Sequence, residues 1–233
     1  MSQNFLRTSR LVVISCLVAS VFLAGSVVAK EKQELPAIDK DGLHLIKGTK
    51  VAVAYGKPGA NLGQYTKVML VDCFVQFKKD WERDYNMDAI GLQGRVEDKD
   101  ITRIKAGLAE EFKKVFTETL TKDGHEVVDA VGPDVLLLRP AIINLDVAAP
   151  DLMTANMGNT WISSAGSMTL YMELYDSATS TLIGRVADPK ADRDMGAQMA
   201  NKVTNKMAAD RIIRSWAQLL SSHLGEVQKA TVQ

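Results

Sequence analysis

Apolar and polar residues alternate most regularly between Gly166 and Tyr175. Met168, Leu170, Met172 and Leu174 fall on one side, while Ser167, Thr169, Tyr171, Glu173 and Tyr175 fall on the other. A period of two marks a half-buried strand, because successive side chains leave opposite faces of the pleat. Asp176 to Ser180 is a polar turn cluster, and a second apolar run follows it to Asp188, so the stretch predicts a β-hairpin. Lys50 to Tyr55 reads as a short strand. Lys67 to Phe77 reads as one strong strand with Met69, Val71, Cys73, Val75 and Phe77 on its more apolar face. His125 to Asp129 is a further short strand. Val135 to Leu138 is a continuous apolar run, as in a strand buried on both faces. Pro140 is expected to break or bulge that ladder, after which Ile143, Leu145 and Val147 alternate with Asn144 and Asp146.

Helical spacing appears twice. Ile101, Ile104, Leu108, Phe112, Val115 and Phe116 recur every three or four residues and predict a helix over Asp98 to Asp123. Asp98 or Asp100 can cap its start, and Gly124 is placed to end it. From Asp210 onward, Ile212, Ile213, Trp216, Leu219, Leu220 and Leu224 share one helical face, whereas Ala200, Val203 and Met207 fall nearly opposite. That predicts two segments, or one helix that changes its buried side near Asn205 to Ala208, with a frayed end over residues 227–233. The element order predicts an α+β fold: a single mixed, mostly antiparallel sheet with two principal helices packed on it, spanning residues 48–226. Residues 30–47 read as a tether whose end, Gly42 to Ile46, is partly ordered.

The first residues change the picture. Arg7 and Arg10 precede an uncharged run, Leu11 to Ala29, that ends with small residues at Val27 and Ala29. This is the layout of a secretory signal peptide over residues 1–29, with cleavage before Lys30. Two alternatives stand beside it: an uncleaved anchor, since the run is long enough to span a bilayer, and lipidation at Cys16. Periplasmic localisation is expected, or membrane anchoring through an uncleaved N-terminus. Cleavage leaves about 200 residues, enough for one domain with a sizeable core. It also leaves 26 of the 28 basic residues against 28 acidic ones, so there is no basic excess to neutralise phosphates and no nucleic-acid partner is expected. Only Cys73 would remain, which excludes an intramolecular disulfide. Membrane contact is expected only through the N-terminus.

Candidate chemistry is sparse. Gly56 to Gly63 resembles a phosphate cradle only in glycine content, for no Lys-Ser/Thr pair and no helix follow it; turn formation explains it. Cys73 lies between Val71 and Val75 with no cationic neighbour, as a core thiol does. Lys78 to Arg95 is dense in charged and aromatic residues. Counted from Asp80, it has Tyr85 and Gly91 where a calcium loop needs glycine and glutamate, and it reads as a solvated loop. His44, His125 and His223 lie in different elements, and no zinc pattern or nucleophile elbow occurs. No catalytic, metal-binding or cofactor-binding residue is expected, and no cofactor, so the sequence leans away from an enzyme. Exposed aromatics among charges suit an interface, which makes Trp81, Arg83 and Tyr85 candidate contacts. The long irregular stretch Ala148 to Ala165 adds Met157 and Trp161.

Asp176-Ser177-Ala178-Thr179 and Leu182-Ile183-Gly184-Arg185-Val186-Ala187-Asp188 resemble the hairpin motif of a bacterial envelope family. Tyr55-Gly56-Lys57-Pro58-Gly59-Ala60-Asn61-Leu62, followed by Tyr65, resembles a second motif of that family. The family is the one catalogued as domain of unknown function 3313, often described as lipoproteins, and the resemblance runs from about Ile38 to Leu224. It implies an envelope protein and assigns no catalytic residues. A well-placed lipidation cysteine is missing here. The expected function is therefore that of an exported, non-catalytic binding or accessory module with an envelope protein partner. The alternative is a small-ligand binder or hydrolase assembled from scattered residues such as Asp146, Asp176 and His125.

Overall fold

The computed structural model describes residues 34–88, 94–147, 160–162, 166–191, 198–200 and 202–232. The leader reading of residues 1–29 and the candidate contact Met157 lie outside them. In chain order come β1 (His44–Leu45), β2 (Val53–Gly56), a 3-10 turn (Leu62–Gln64), β3 (Lys67–Leu70), β4 (Phe74–Phe77), α1 (Trp81–Asp88) and α2 (Asp98–Lys122). Then follow β5 (Glu126–Val127), β6 (Val135–Val147), β7 (Thr160–Ile162), β8 (Gly166–Asp176), β9 (Thr181–Ala191), β10 (Gln198–Ala200) and α3 (Lys202–Val232).

One mixed sheet carries the fold, in the order β1-β2-β9-β8-β6-β3-β5, with β4 also paired to β6. From β1 through β2, β9 and β8 to β6 each successive pair is antiparallel, whereas β3 and β4 run parallel to β6 and β5 parallel to β3. β7 and β10 form a separate antiparallel pair. The α+β architecture expected from the alternation is the one adopted. Met168, Leu170, Met172 and Leu174 are all buried on one sheet face. They lie in one core with Phe112, Val115, Phe116 and Leu120 of α2 and Ile212, Ile213, Trp216 and Leu224 of α3. Asp100 is one turn in and buried; its carboxylate accepts from the Glu97 N–H (3.2 Å) and pairs with Arg103 (3.0 Å). Gly124, at φ +91°, takes the left-handed turn that ends α2.

Expectations change in four regions of the fold. The strand expected over Lys67 to Phe77 is two strands, and the buried side switches between them. Leu70 is in register with Leu138 but Phe74 with Ala141, so one extra residue sits in the connection. Val68 and Leu70 are buried before it and Cys73 and Val75 after it, leaving Phe74 60% exposed. A one-residue slip turns every later side chain over. Opposite the slip lies Pro140: the Leu138 carbonyl accepts from Val71 (3.1 Å), and Pro140, two positions further along β6, has no N–H to offer. β6 itself runs on through Pro140 and bulges instead at Asn144, whose φ of +51° moves burial from Ile142 to Leu145. Gly166 faces that bulge at φ +149°, where a Cβ would come within 2.5 Å of the Asp146 carbonyl oxygen.

The second change is at the N-terminus. The compact unit begins at Leu35 rather than at residue 48, with Leu43 buried and the Tyr55 hydroxyl bonded to the Pro36 carbonyl (2.9 Å). Third, α3 is one helix that runs to Val232, and the Gln228 amide donates to the Tyr65 carbonyl (2.7 Å) where fraying was expected. Met207 is exposed, while the side chains of Ala200 and Val203 lie outside the described ones. Fourth, the solvated loop expected after Phe77 contains α1, packed by Trp81.

Candidate interface

α2 and α3 lie on one face of the sheet. Residues directly paired across neighbouring strands share a face, so the registers define the other one row by row. Met69, Leu137 and Tyr175 form one row, Arg139, Glu173, Arg185 and Tyr55 the next, and Phe74, Ala141 and Tyr171 a third. Antiparallel sheets commonly leave one such face to solvent. Here it mixes half-buried apolar side chains with one charged cluster.

That cluster is built on Arg185. Its guanidinium meets Asp39, Asp41 (2.6 Å) and Glu173 (3.0 Å). Glu173 also accepts from the hydroxyls of Tyr171 (2.9 Å) and Tyr175 (2.8 Å), with Arg139 at 3.8 Å. Burial pushes the Glu173 carboxyl up, but the bonds from Tyr175, Tyr171 and Arg185 outweigh it and hold it below its ordinary value. For Asp39, burial is likewise outweighed, by the N–H groups of Leu43 and Asp41 and by Arg185. The Tyr171 hydroxyl is pushed up to about 12, by burial first and then by its bond to Glu173. This is a clamp: it fixes residues 39–41 onto β9 from the far end of the chain.

The aromatic-charged stretch divides. Trp81 is buried, stacked on Phe77 (4.2 Å between centroids) and on Tyr85 (5.7 Å), and its indole N–H donates to the Val147 carbonyl (3.3 Å). Tyr85 is half-buried, and burial raises its hydroxyl pKa. Arg83 is exposed and paired to Asp84 (2.9 Å) and Asp80 (3.4 Å), and Met87 is exposed beyond it. Trp81 and Tyr85, four residues apart, share a face of α1, whereas Phe77 reaches Trp81 from the end of β4, across the left-handed Asp80 (φ +62°). Trp161 is placed by its backbone, paired to Met199 in the β7–β10 ladder.

The scattered residues of the hydrolase alternative are not brought together. Asp146 and Asp176 are near opposite ends of the β6–β8 ladder, about 30 Å apart at ~3.3 Å per residue. Asp146 pairs with Lys78 (3.3 Å) and lines a cavity of about 510 Å³ beside α2 and α3, which neither Asp176 nor His125 reaches. Asp176 holds the hairpin turn, accepting from the Thr179 N–H (2.8 Å) and from Tyr65 (2.9 Å). His125 is buried against the Ser221 carbonyl (3.1 Å). Among the described residues no group of three His, Cys, Asp or Glu could hold a metal ion, and no helix is long and apolar enough to cross a membrane. Gly59 takes φ +76° in the glycine-rich loop and Asn61 caps the 3-10 turn after it, so this loop is a turn leading to a strand.

Cys73 is buried, and that burial pushes its thiol up to about 12. Reaction requires the thiolate. Iodoacetamide at neutral pH should therefore leave Cys73 unmodified in the native protein and modify it fully in denaturant, as read by peptide mass spectrometry. Labelling at equal rates in both states would contradict the buried placement.

The family model described as "Protein of unknown function (DUF3313)" matches residues 44–220. Among solved structures, a PelC dodecamer from Paraburkholderia phytofirmans is similar at 12% identity, over 72% of this chain and 96% of that one, with a TM-score of 0.35. A minor lipoprotein from Acinetobacter baumannii is similar at 9% identity, over 68% and 94%, with a TM-score of 0.33. A DUF4136 family protein from Bacteroides thetaiotaomicron is similar at 12% identity, over 80% and 98%, with a TM-score of 0.34. No curated protein matches the chain.

Proposed function

The chain belongs to the DUF3313 family, and from that premise we propose that it acts in the cell envelope as a non-catalytic binding or accessory module. It works through a protein interface, after export to the periplasm by its N-terminal signal. Supporting the envelope location are Arg7, Arg10 and the uncharged run Leu11 to Ala29. The observation that carries the interface is the sheet face turned away from α2 and α3, where Phe74 is 60% exposed in a row with Ala141 and Tyr171. A large exposed apolar residue on an ordered strand is an anchor of the kind that interfaces bury. Arg83 and Tyr85 on α1 are proposed as a second candidate surface, with Met157 and Trp161 as further candidate contacts; Trp81 serves α1 from beneath, as packing.

A photoreactive amino acid placed at Phe74 or Arg83 in living cells tests this. Discrete crosslinked species are expected from both positions and none from Glu118, an exposed residue of α2. Equal yields at all three positions, or none at any, would overturn the assignment.

A further inference from the structure

On the opposite side of the sheet from that face, a cavity of about 420 Å³ opens between α3 and the β2–β9 edge. Its walls are apolar. Ala54 of β2, Leu170, Met172 and Leu174 of β8, and Ile183 and Val186 of β9 face Trp216, Leu219 and Leu220 of α3 across it. Gly184 contributes space instead of a side chain: a Cβ there would meet only ordinary contacts, 3.4 Å from the Tyr55 carbonyl oxygen and 3.9 Å from Leu174. The mouth is different in kind. Lys47 and Lys50, both exposed, stand on the loop that follows β1, with His223 and Glu226 across from them on α3. Gly48 turns that loop at φ +75°, and the Ile46 N–H donates to the Ala54 carbonyl (2.8 Å), so the loop is tied to the cavity wall.

An apolar interior with a few charged groups gathered at one opening is the usual form of a small-molecule site. We propose that this cavity binds a single-chain fatty acid, its tail among Leu170, Met172, Val186 and Trp216 and its carboxylate at Lys47 and Lys50. The volume lies near the lower end of the roughly 300–1,000 Å³ range of ligand pockets, which suits one aliphatic tail and not the two of a bilayer lipid. The two lysines set the sign of the head group, with Glu226 the single carboxylate at the mouth.

Dodecanoate, held below its micelle concentration and titrated calorimetrically into the full chain, is the probe; dodecanol supplies the same tail without the charge. Saturable one-to-one binding of dodecanoate is expected. The double substitution Lys47→Glu, Lys50→Glu, at exposed positions that leave packing untouched, should weaken dodecanoate about tenfold or more and dodecanol by less than about twofold. Gly184→Val, which fills the cavity with a residue suited to a strand, should weaken both ligands about tenfold. Binding that survives both variants is adventitious partitioning and would overturn the site, as would no saturable binding. Equal loss of dodecanol and dodecanoate on charge reversal would also overturn it. If Gly184→Val does not fold, the lysine variant and the alcohol still decide.

Discussion

Trp216→Ala is expected to lower folding stability by about 4 kcal/mol or more, read as a fall in the urea midpoint at unchanged slope. Two losses combine. The indole is buried between α3 and the hairpin, and truncating a buried tryptophan to alanine costs about 3–5 kcal/mol. Its N–H also donates to the Asp188 carboxylate (2.8 Å), which is itself buried and otherwise accepts from the Ala52 N–H (2.9 Å), with Lys190 at 3.7 Å. A buried acceptor that loses a donor costs a further ~1–3 kcal/mol. Trp216→Phe separates the terms: it keeps most of the ring, removes the donor and should cost about 1–2 kcal/mol. Equal losses for the two variants would show that packing of the ring contributes nothing, contrary to its place in the core.

Arg185→Met is expected to cost about 2 kcal/mol at pH 7, with the difference from wild type shrinking as the pH falls below about 4. Breaking a fully buried ion pair costs about 3–5 kcal/mol. The smaller figure applies because the Asp41 side chain is 39% exposed and water screens that pair. The sign follows from the carboxylates. Glu173 and Asp39 titrate below their ordinary values in the folded protein, so their stabilisation is complete above the unfolded values and disappears as pH falls through the folded ones. Removing Arg185 takes away part of that depression, and the acid limb of the stability profile flattens. Urea unfolding at pH 7 and pH 3 checks it. A difference that stays constant would mean that Arg185 contributes packing alone.

The parts of the fold legible in the sequence were those where one residue pattern meets one environment. The alternation at Met168 to Leu174 and the helical stripe ending in Phe116 each face a single core, and both took the form their spacing predicts. Illegible were the points where the backbone changes phase. In the run Val68 to Val75 only the exposed Asp72 marks the connection that holds the extra residue before Phe74, and the matching feature lies on another strand, at Pro140. Asn144 was counted as the polar half of an alternation, whereas its left-handed backbone shifts the alternation itself. Trp81 was read by the charges around it; the rings of Phe77 at the end of β4 and of Tyr85 one turn on in α1 decide its burial. For the candidate interface, composition suggested α1 and could not suggest Phe74, since an exposed phenylalanine and a core one look alike until the register is known.

The clamp on Arg185 joins residues 146 positions apart, and β2, paired locally with the two-residue β1, finds its other partner only in β9. A chain made from its N-terminus therefore emerges with its first strands unsatisfied until the hairpin's second arm exists. Loop closure over so long a span is entropically costly, and non-local pairing of this kind slows folding. The nascent protein must pass most of its length as a chain with open strand edges, the state in which aggregation competes with folding. Its last-made third is what allows its first-made third to fold.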